Sequence, residues 1–198
     1  MESINTELAN ELWAEHYVKH GKGWLTVRTG SMIPLFRPGD RVLIYPALAD
    51  EISRGDIIVF RRDRGLIAHR VLKKQLSGDG IHFTEKGDSS AACGKFNQGD
   101  IIGRVSAVKG GSRLFVLDLP FSKFFNHGLS LWCYWTIAAA TKLLSSNRRN
   151  IRRLGGALVR LSLLSSNILI RTCSVFWYLS GLYIKNSKVV NHGEREGL

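Results

Sequence analysis

The chain has 198 residues, with 28 Lys and Arg against 16 Asp and Glu and a formal net charge of +12. That length suits one domain of ordinary size plus an appendage, or two small units. Residues 141–198 alone carry a net +8, so any anionic partner, membrane lipid or nucleic acid, is expected at the C-terminal third.

Met1-Glu2-Ser3-Ile4 lacks the basic start and unbroken apolar core of a secretory signal. Residues 3–19 are predicted to form an amphipathic helix, with Ile4, Leu8 and Leu12 on one face and Glu7, Glu11 and Glu15 on another. Charge interrupts the apolar positions at every turn, which makes residues 1–20 a docking helix and excludes a membrane span. His16 and His20 lie one turn apart but have no third ligand nearby, so they read as solvent-facing. Cys93, Cys133 and Cys173 are odd in number, widely spaced and without a Cys-x-x-Cys pair. No disulfide framework or zinc site is indicated, and the three thiols are expected to be unpaired and buried.

From Gly21 the pattern changes to short β-type runs broken by Gly, Pro and Asp. These are Trp24–Val27, Arg41–Tyr45, Asp56–Phe60, Leu66–Leu72, Ile81–Thr84 and Ile101–Val108. Runs so spaced predict a mainly β unit over residues 21–112, an antiparallel sheet or small barrel, with Gly110-Gly111 as a hinge at its end. Pro38-Gly39-Asp40 and Arg54-Gly55-Asp56 each lead into a strand through a turn that calls for a positive φ at glycine.

Residues 113–198 read as a basic, apolar helical region. Leu129–Leu144 is apolar but shorter than the roughly 20 residues that span a bilayer. Beyond the basic cluster at residues 148–153, Ile151, Leu154, Leu158, Leu161 and Ile168 share one helical face, with Arg152, Arg153 and Arg160 off it. This is the pattern of a basic amphipathic helix lying on an anionic membrane. Two other arrangements fit the same residues: a packing module with a solvated basic face, and a two-helix membrane hairpin interrupted by Arg160 and Arg171. Val189–Leu198 is a polar tail.

The candidate chemistry centres on Arg28-Thr29-Gly30-Ser31-Met32-Ile33-Pro34. Gly30 lets the backbone turn and leaves the Ser31 hydroxyl accessible, and Pro34 stiffens the exit. A serine hydroxyl needs a base to act as a nucleophile. His69 sits in the apolar run Leu66-Ile67-Ala68-His69, where partial desolvation favours the neutral imidazole that a general base requires. Asp88, at the glycine turn after the Ile81–Thr84 run, is placed to orient His69. By composition and spacing alone the plainer reading is a turn serine, a satisfied core histidine and a turn aspartate.

A resemblance shifts that balance. Residues 27–108 resemble the type I signal peptidases, in the archaeal and endoplasmic-reticulum branch of the group that also holds the LexA-like self-cleaving repressors. The likeness rests on five blocks in the family's order: Gly30-Ser31-Met32-Ile33-Pro34 with Pro38-Gly39-Asp40, Gly55–Phe60, Ala68-His69-Arg70-Val71, Lys86-Gly87-Asp88, and Ile101–Val105. It implies a β catalytic domain with Ser31 as nucleophile, His69 as base where other branches use lysine, and Asp88 as the family's aspartate. It also implies an oxyanion hole made by the Thr29 hydroxyl and the Ser31 backbone N–H, with Met32, Ile33 and Pro34 on the substrate side.

No metal or organic cofactor is implied. The substrate would be an extended precursor or signal peptide with small side chains near the scissile bond, and the expected partners are that peptide and an anionic membrane surface, not nucleic acid. Besides the expected lack of the family's N-terminal membrane anchor, three features depart from the family pattern. Ile33 replaces a glutamate, Ser89-Ser90 replaces an Asn-Asn pair, and Ala91-Ala92-Cys93 stands where a second aspartate is expected. A weakened catalyst acting as a peptide-binding or membrane-tethering module is the alternative that follows from them.

Overall fold

The computed structural model describes residues 17, 19–63, 65–111, 113–145 and 149–179. The predicted docking helix lies outside the described residues except for Tyr17, Lys19 and His20, which are helical. Eight strands follow: β1 (Gly23–Thr26), β2 (Arg41–Tyr45), β3 (Ile57–Arg62), β4 (Gly65–Ser77), β5 (Gly80–Lys86), β6 (Cys93–Asn97), β7 (Ile101–Gly110) and β8 (Arg113–Val116). Two long helices follow among the described residues, α1 (Pro120–Leu144) and α2 (Arg149–Leu179).

All strand pairs are antiparallel and form one sheet ordered β1-β2-β7-β3-β4-β5-β6, with β8 added beside β7. Of the two predicted alternatives this is the sheet. β3 reads as an unbroken apolar run, Ile57-Ile58-Val59-Phe60, because both of its faces are covered. Ile57 and Val59 join a large cluster with Met32, Phe36, Leu72 and Val105. Ile58 and Phe60 join a second with Val71, Phe83 and Phe96, in which the Phe60 and Phe83 rings stack on Phe96 at 4.3 and 4.9 Å. The same alternation on β4 sends His69 and Val71 to the second face and Arg70 and Leu72 to the first.

Gly110-Gly111 is not a hinge. It is the turn of the β7–β8 hairpin, with Gly111 at φ +57° and Gly110 paired to Arg113, so the sheet runs on to Val116. Tyr17 fastens the N-terminal end by donating its hydroxyl to the Ile102 carbonyl (2.9 Å), and burial pushes its pKa up to about 12. Cys133 is buried as expected, whereas Cys93 is exposed on the edge strand β6 and so does not belong to the core.

Pro120 opens α1 at the first helical turn, where its missing N–H costs nothing. The apolar stretch read as Leu129–Leu144 is therefore part of a 25-residue helix. α1 packs on the β unit: Ser130 Oγ donates to the Val71 carbonyl at 2.7 Å, and Arg54 lies 5.3 Å over the Tyr134 ring. α1 and α2 meet along a seam of small and hydroxyl side chains. Thr136 and Ser162 share a hydrogen bond of 2.7 Å, Trp132 Nε1 donates to Ser165 Oγ at 3.0 Å, and a Cβ at Gly155 would lie 3.1 Å from the Ala140 carbonyl.

Candidate active site

Ser31 starts a tight turn in the β1–β2 connection. Two turn bonds shape it, Ile33 N–H to the Gly30 carbonyl at 3.1 Å and Leu35 N–H to the Met32 carbonyl at 3.0 Å. Met32 and Phe36 anchor this segment in the large cluster. From the other side Ser89 clamps it: its N–H and Oγ both donate to the Ser31 carbonyl (3.0 and 2.9 Å), and Oγ also reaches the Gly30 carbonyl at 2.8 Å. The backbone at Ser31 is thus fixed from two directions, while Ser31 Oγ has no hydrogen-bond partner among the described residues.

Ser31 and His69 come together across Gly87. A Cβ built on Gly87 would sit 3.0 Å from His69 Nε2, 3.1 Å from Ser31 Cβ and 2.6 Å from the Ser31 carbonyl oxygen. Only glycine lets the Ser31 turn approach this closely. The imidazole and the serine therefore border one gap the width of a missing methyl group.

The other ring nitrogen is held by Glu85. His69 Nδ1 and Glu85 Oε2 are 2.5 Å apart, with the two side chains 15% and 2% exposed. Glu85 Oε1 accepts from Arg62 Nη2 at 2.9 Å, and that guanidinium also bonds the Lys95 carbonyl and lies 5.0 Å over the Phe60 ring. A Cβ at Gly94, opposite Glu85 on β6, would fall within van der Waals overlap of the carboxylate, so glycine there makes its room. Burial pushes the Glu85 carboxyl up, but the hydrogen bonds and charges of His69 and Arg62 outweigh it and leave its pKa below the ordinary value. An ionised carboxylate only accepts, so Nδ1 is the donor of this contact and Nε2 is the ring nitrogen on the Gly87 side, where Ser31 also lies.

Asp88 does not reach His69. It lies on the opposite side of β4, where Arg70 donates Nε to Oδ1 and Nη2 to Oδ2, both at 2.8 Å. Alternation along β4 turns neighbours 69 and 70 to opposite faces, so an aspartate spent on Arg70 is lost to His69. Arg70 is 1% exposed and Asp88 3%, a buried pair whose disruption strands one charge. Asp88→Ala is expected to cost about 3–5 kcal/mol of stability, read as a drop in melting temperature of about 2–4 °C per kcal/mol for a chain of this size. An unchanged melting temperature would contradict this placement.

Thr29 is exposed two residues before Ser31, and its hydroxyl has no partner among the described residues. Met32 does not line an open surface: at 1% exposure it is core. Ile33 and Pro34 are partly exposed, and the Ile33 side chain covers Gly30. Among the described residues no group of three or more His, Cys, Asp or Glu side chains is arranged to hold a metal. Glu85 is the residue that the sequence reading missed. Its signal is the alternation of β5, where Phe83 and Glu85 share the inward face, so an acid occupies a core position.

A family model described as Peptidase S24-like matches residues 4–105, slightly more than half of the chain. Among curated proteins, Signal peptidase I W of Bacillus subtilis (strain 168) is 35% identical over 69 residues. That match covers 34% of this chain and 36% of the relative, so the chain spans about a third of that protein's length. Ser31, His69, Glu85 and Asp88 all fall within the family match.

Proposed function

The chain belongs to the Peptidase S24-like family, a family of serine peptidases, and from that premise we propose that it is a serine endopeptidase of the Ser-His type. The observation that carries the reading is the gap at Gly87, bordered by Ser31 and by the Nε2 face of a histidine whose Nδ1 is bonded to Glu85. Ser31 Oγ attacks the scissile carbonyl carbon as its proton passes to His69 Nε2. Glu85 holds the ring in the required tautomer and stabilises the imidazolium. The developing oxyanion is received by the Ser31 N–H and the Thr29 hydroxyl. Nε2 then protonates the leaving amine, and a water, deprotonated by the same nitrogen, releases the acyl group and restores Ser31. The histidine at the base position is what supports grouping the chain with the archaeal and endoplasmic-reticulum branch.

The proposed substrate is an extended precursor peptide with small residues at the scissile bond, in keeping with the likeness to Signal peptidase I W. Purified full-length chain mixed with such a peptide is expected to give two products whose ends, mapped by mass spectrometry, meet at one bond. A chain that retains the peptide uncut would instead be a binding module.

The helical region supports attachment to a membrane. Arg153–Thr172 is long and apolar enough to cross one, with a mean hydropathy of 1.2. The α1–α2 pair is also inverted relative to helices packed in water. Its seam holds Cys133, Thr136, Ser162 and Ser166, while Phe124, Trp135, Leu154, Leu161, Leu164 and Ile168 face outward, with Trp135 66% exposed. Lipid favours such an arrangement, because apolar side chains gain from facing outward and small and hydroxyl side chains pack the helices together. Arg153 and Arg160 flank the outward leucines and suit anionic headgroups. The protein is expected to float with phosphatidylserine vesicles and to show a blue shift of tryptophan emission. Sedimentation away from the vesicles with unchanged emission would contradict the attachment.

A further inference from the structure

We propose that Asn126 on α1 is a positioning residue for the Ser31 turn, so that the geometry at the nucleophile depends on how the helical hairpin is seated. The kinetic part of this inference rests on the peptidase reading; the structural part does not.

The path is continuous and mostly buried. Asn126 Oδ1 accepts from Arg70 Nη1 at 2.7 Å. The same Nη1 donates to the Gly55 carbonyl at 3.1 Å, while Nε and Nη2 hold the two oxygens of Asp88. Asp88 is followed directly by Ser89, whose N–H and Oγ clamp the Ser31 carbonyl. Arg70 in turn follows His69 on β4. One guanidinium is thus the chain neighbour of His69, reaches Ser31 through Asp88 and the Ser89 clamp, and is tied to α1 by a side-chain amide.

The seat of the helix is close-fitting. Gly55 has φ +94°, and a Cβ there would lie 2.6 Å from the Asn126 carbonyl carbon and oxygen, so the helix backbone rests directly on the turn before β3. One helical turn on, Ser130 Oγ bonds the Val71 carbonyl. The two contacts are not equivalent. Ser130 meets only backbone, whereas Asn126 satisfies a charged donor in a buried site, where losing an acceptor is costly. Without it, Arg70 is free to re-aim, and Asp88 and the Ser89 clamp move with it.

The test compares Asn126→Leu, which keeps the branched shape and removes the acceptor, with Asn126→Asp, which keeps an acceptor, and with Ser130→Ala, which removes the neighbouring contact alone. Asn126→Ala serves if the leucine variant does not fold. Two readouts are taken on the full chain: hydrogen exchange at the Ser89 amide, and kcat and KM on a cleavable peptide. Asn126→Leu is expected to speed Ser89 exchange at least about tenfold and to lower kcat by about a hundredfold with little change in KM. Asn126→Asp should restore both, and Ser130→Ala should leave both near the unmodified values.

Unchanged Ser89 exchange and kcat in a folded Asn126→Leu protein would overturn the proposal, as would failure of Asn126→Asp to restore them. If the unmodified protein cleaves nothing while Ser89 exchange responds as expected, the peptidase reading fails and the positioning role stands.

Discussion

Replacing Ser31 by alanine is expected to lower kcat by about a millionfold and to leave the melting temperature almost unchanged. The two halves of this expectation have separate causes. Ser31 Oγ has no hydrogen-bond partner among the described residues, so removing it leaves no donor or acceptor stranded. The turn is held by other atoms: the Ser31 carbonyl bonded by Ser89, and the side chains of Met32 and Phe36 in the core. If the oxygen is the nucleophile, its removal takes away the attacking atom and leaves only peptide binding and the oxyanion donors to act on the bond. Residual cleavage within about tenfold of the unmodified rate would mean that another group does the chemistry.

The second large effect separates the two carboxylates. Glu85→Gln is expected to reduce kcat by about 10³- to 10⁴-fold, as loss of the orienting acid in a triad does, whereas Asp88→Asn, which acts through the Ser89 clamp, is expected to cost stability and to lower kcat by no more than about a hundredfold. A glutamine amide can turn its NH₂ toward Nδ1 and so favour the tautomer with the proton on Nε2, which cannot accept from Ser31. The pH profile carries a matching sign. Glu85 has a depressed folded pKa, so the stability it contributes is complete above its unfolded pKa and is lost as pH falls through the lower folded value. Unmodified protein should therefore lose melting temperature in the acid range more steeply than Glu85→Gln. Parallel acid profiles with equal kcat values would place the orienting group elsewhere.

Much of the β unit was readable as alternation and turn chemistry. Arg41–Tyr45 matches β2 residue for residue, and β3, β4 and β7 differ from the predicted runs only at their ends. β6 and β8 were missed because their patterns are weak in isolation. Cys93-Gly94-Lys95-Phe96-Asn97 has one large apolar residue and is a strand through its pairing with β5. Arg113–Val116 is short and becomes a strand by folding back on β7 at Gly111.

The site shows a similar division. The blocks around Ser31 and His69 carry a local pattern, and the fold brings both to Gly87. The sequence pattern points for the orienting acid to the glycine turn, where Asp88 stands, because the recognisable β-type run ends at Thr84. The strand β5 itself continues to Lys86, which puts Glu85 inside it on the Phe83 face. Choosing between Glu85 and Asp88 requires knowing that Arg70 occupies the latter, and that depends on a three-dimensional pairing that includes Asn126, far along the chain.

The most direct measurement is the mass of the protein itself, quenched in acid during turnover of an activated peptide ester. The account predicts one added acyl group, carried by the fragment that contains Ser31, absent from Ser31→Ala and slower to form in Glu85→Gln. Turnover of the ester with the acyl group on another residue, or with no acyl-protein at any time point, would contradict it.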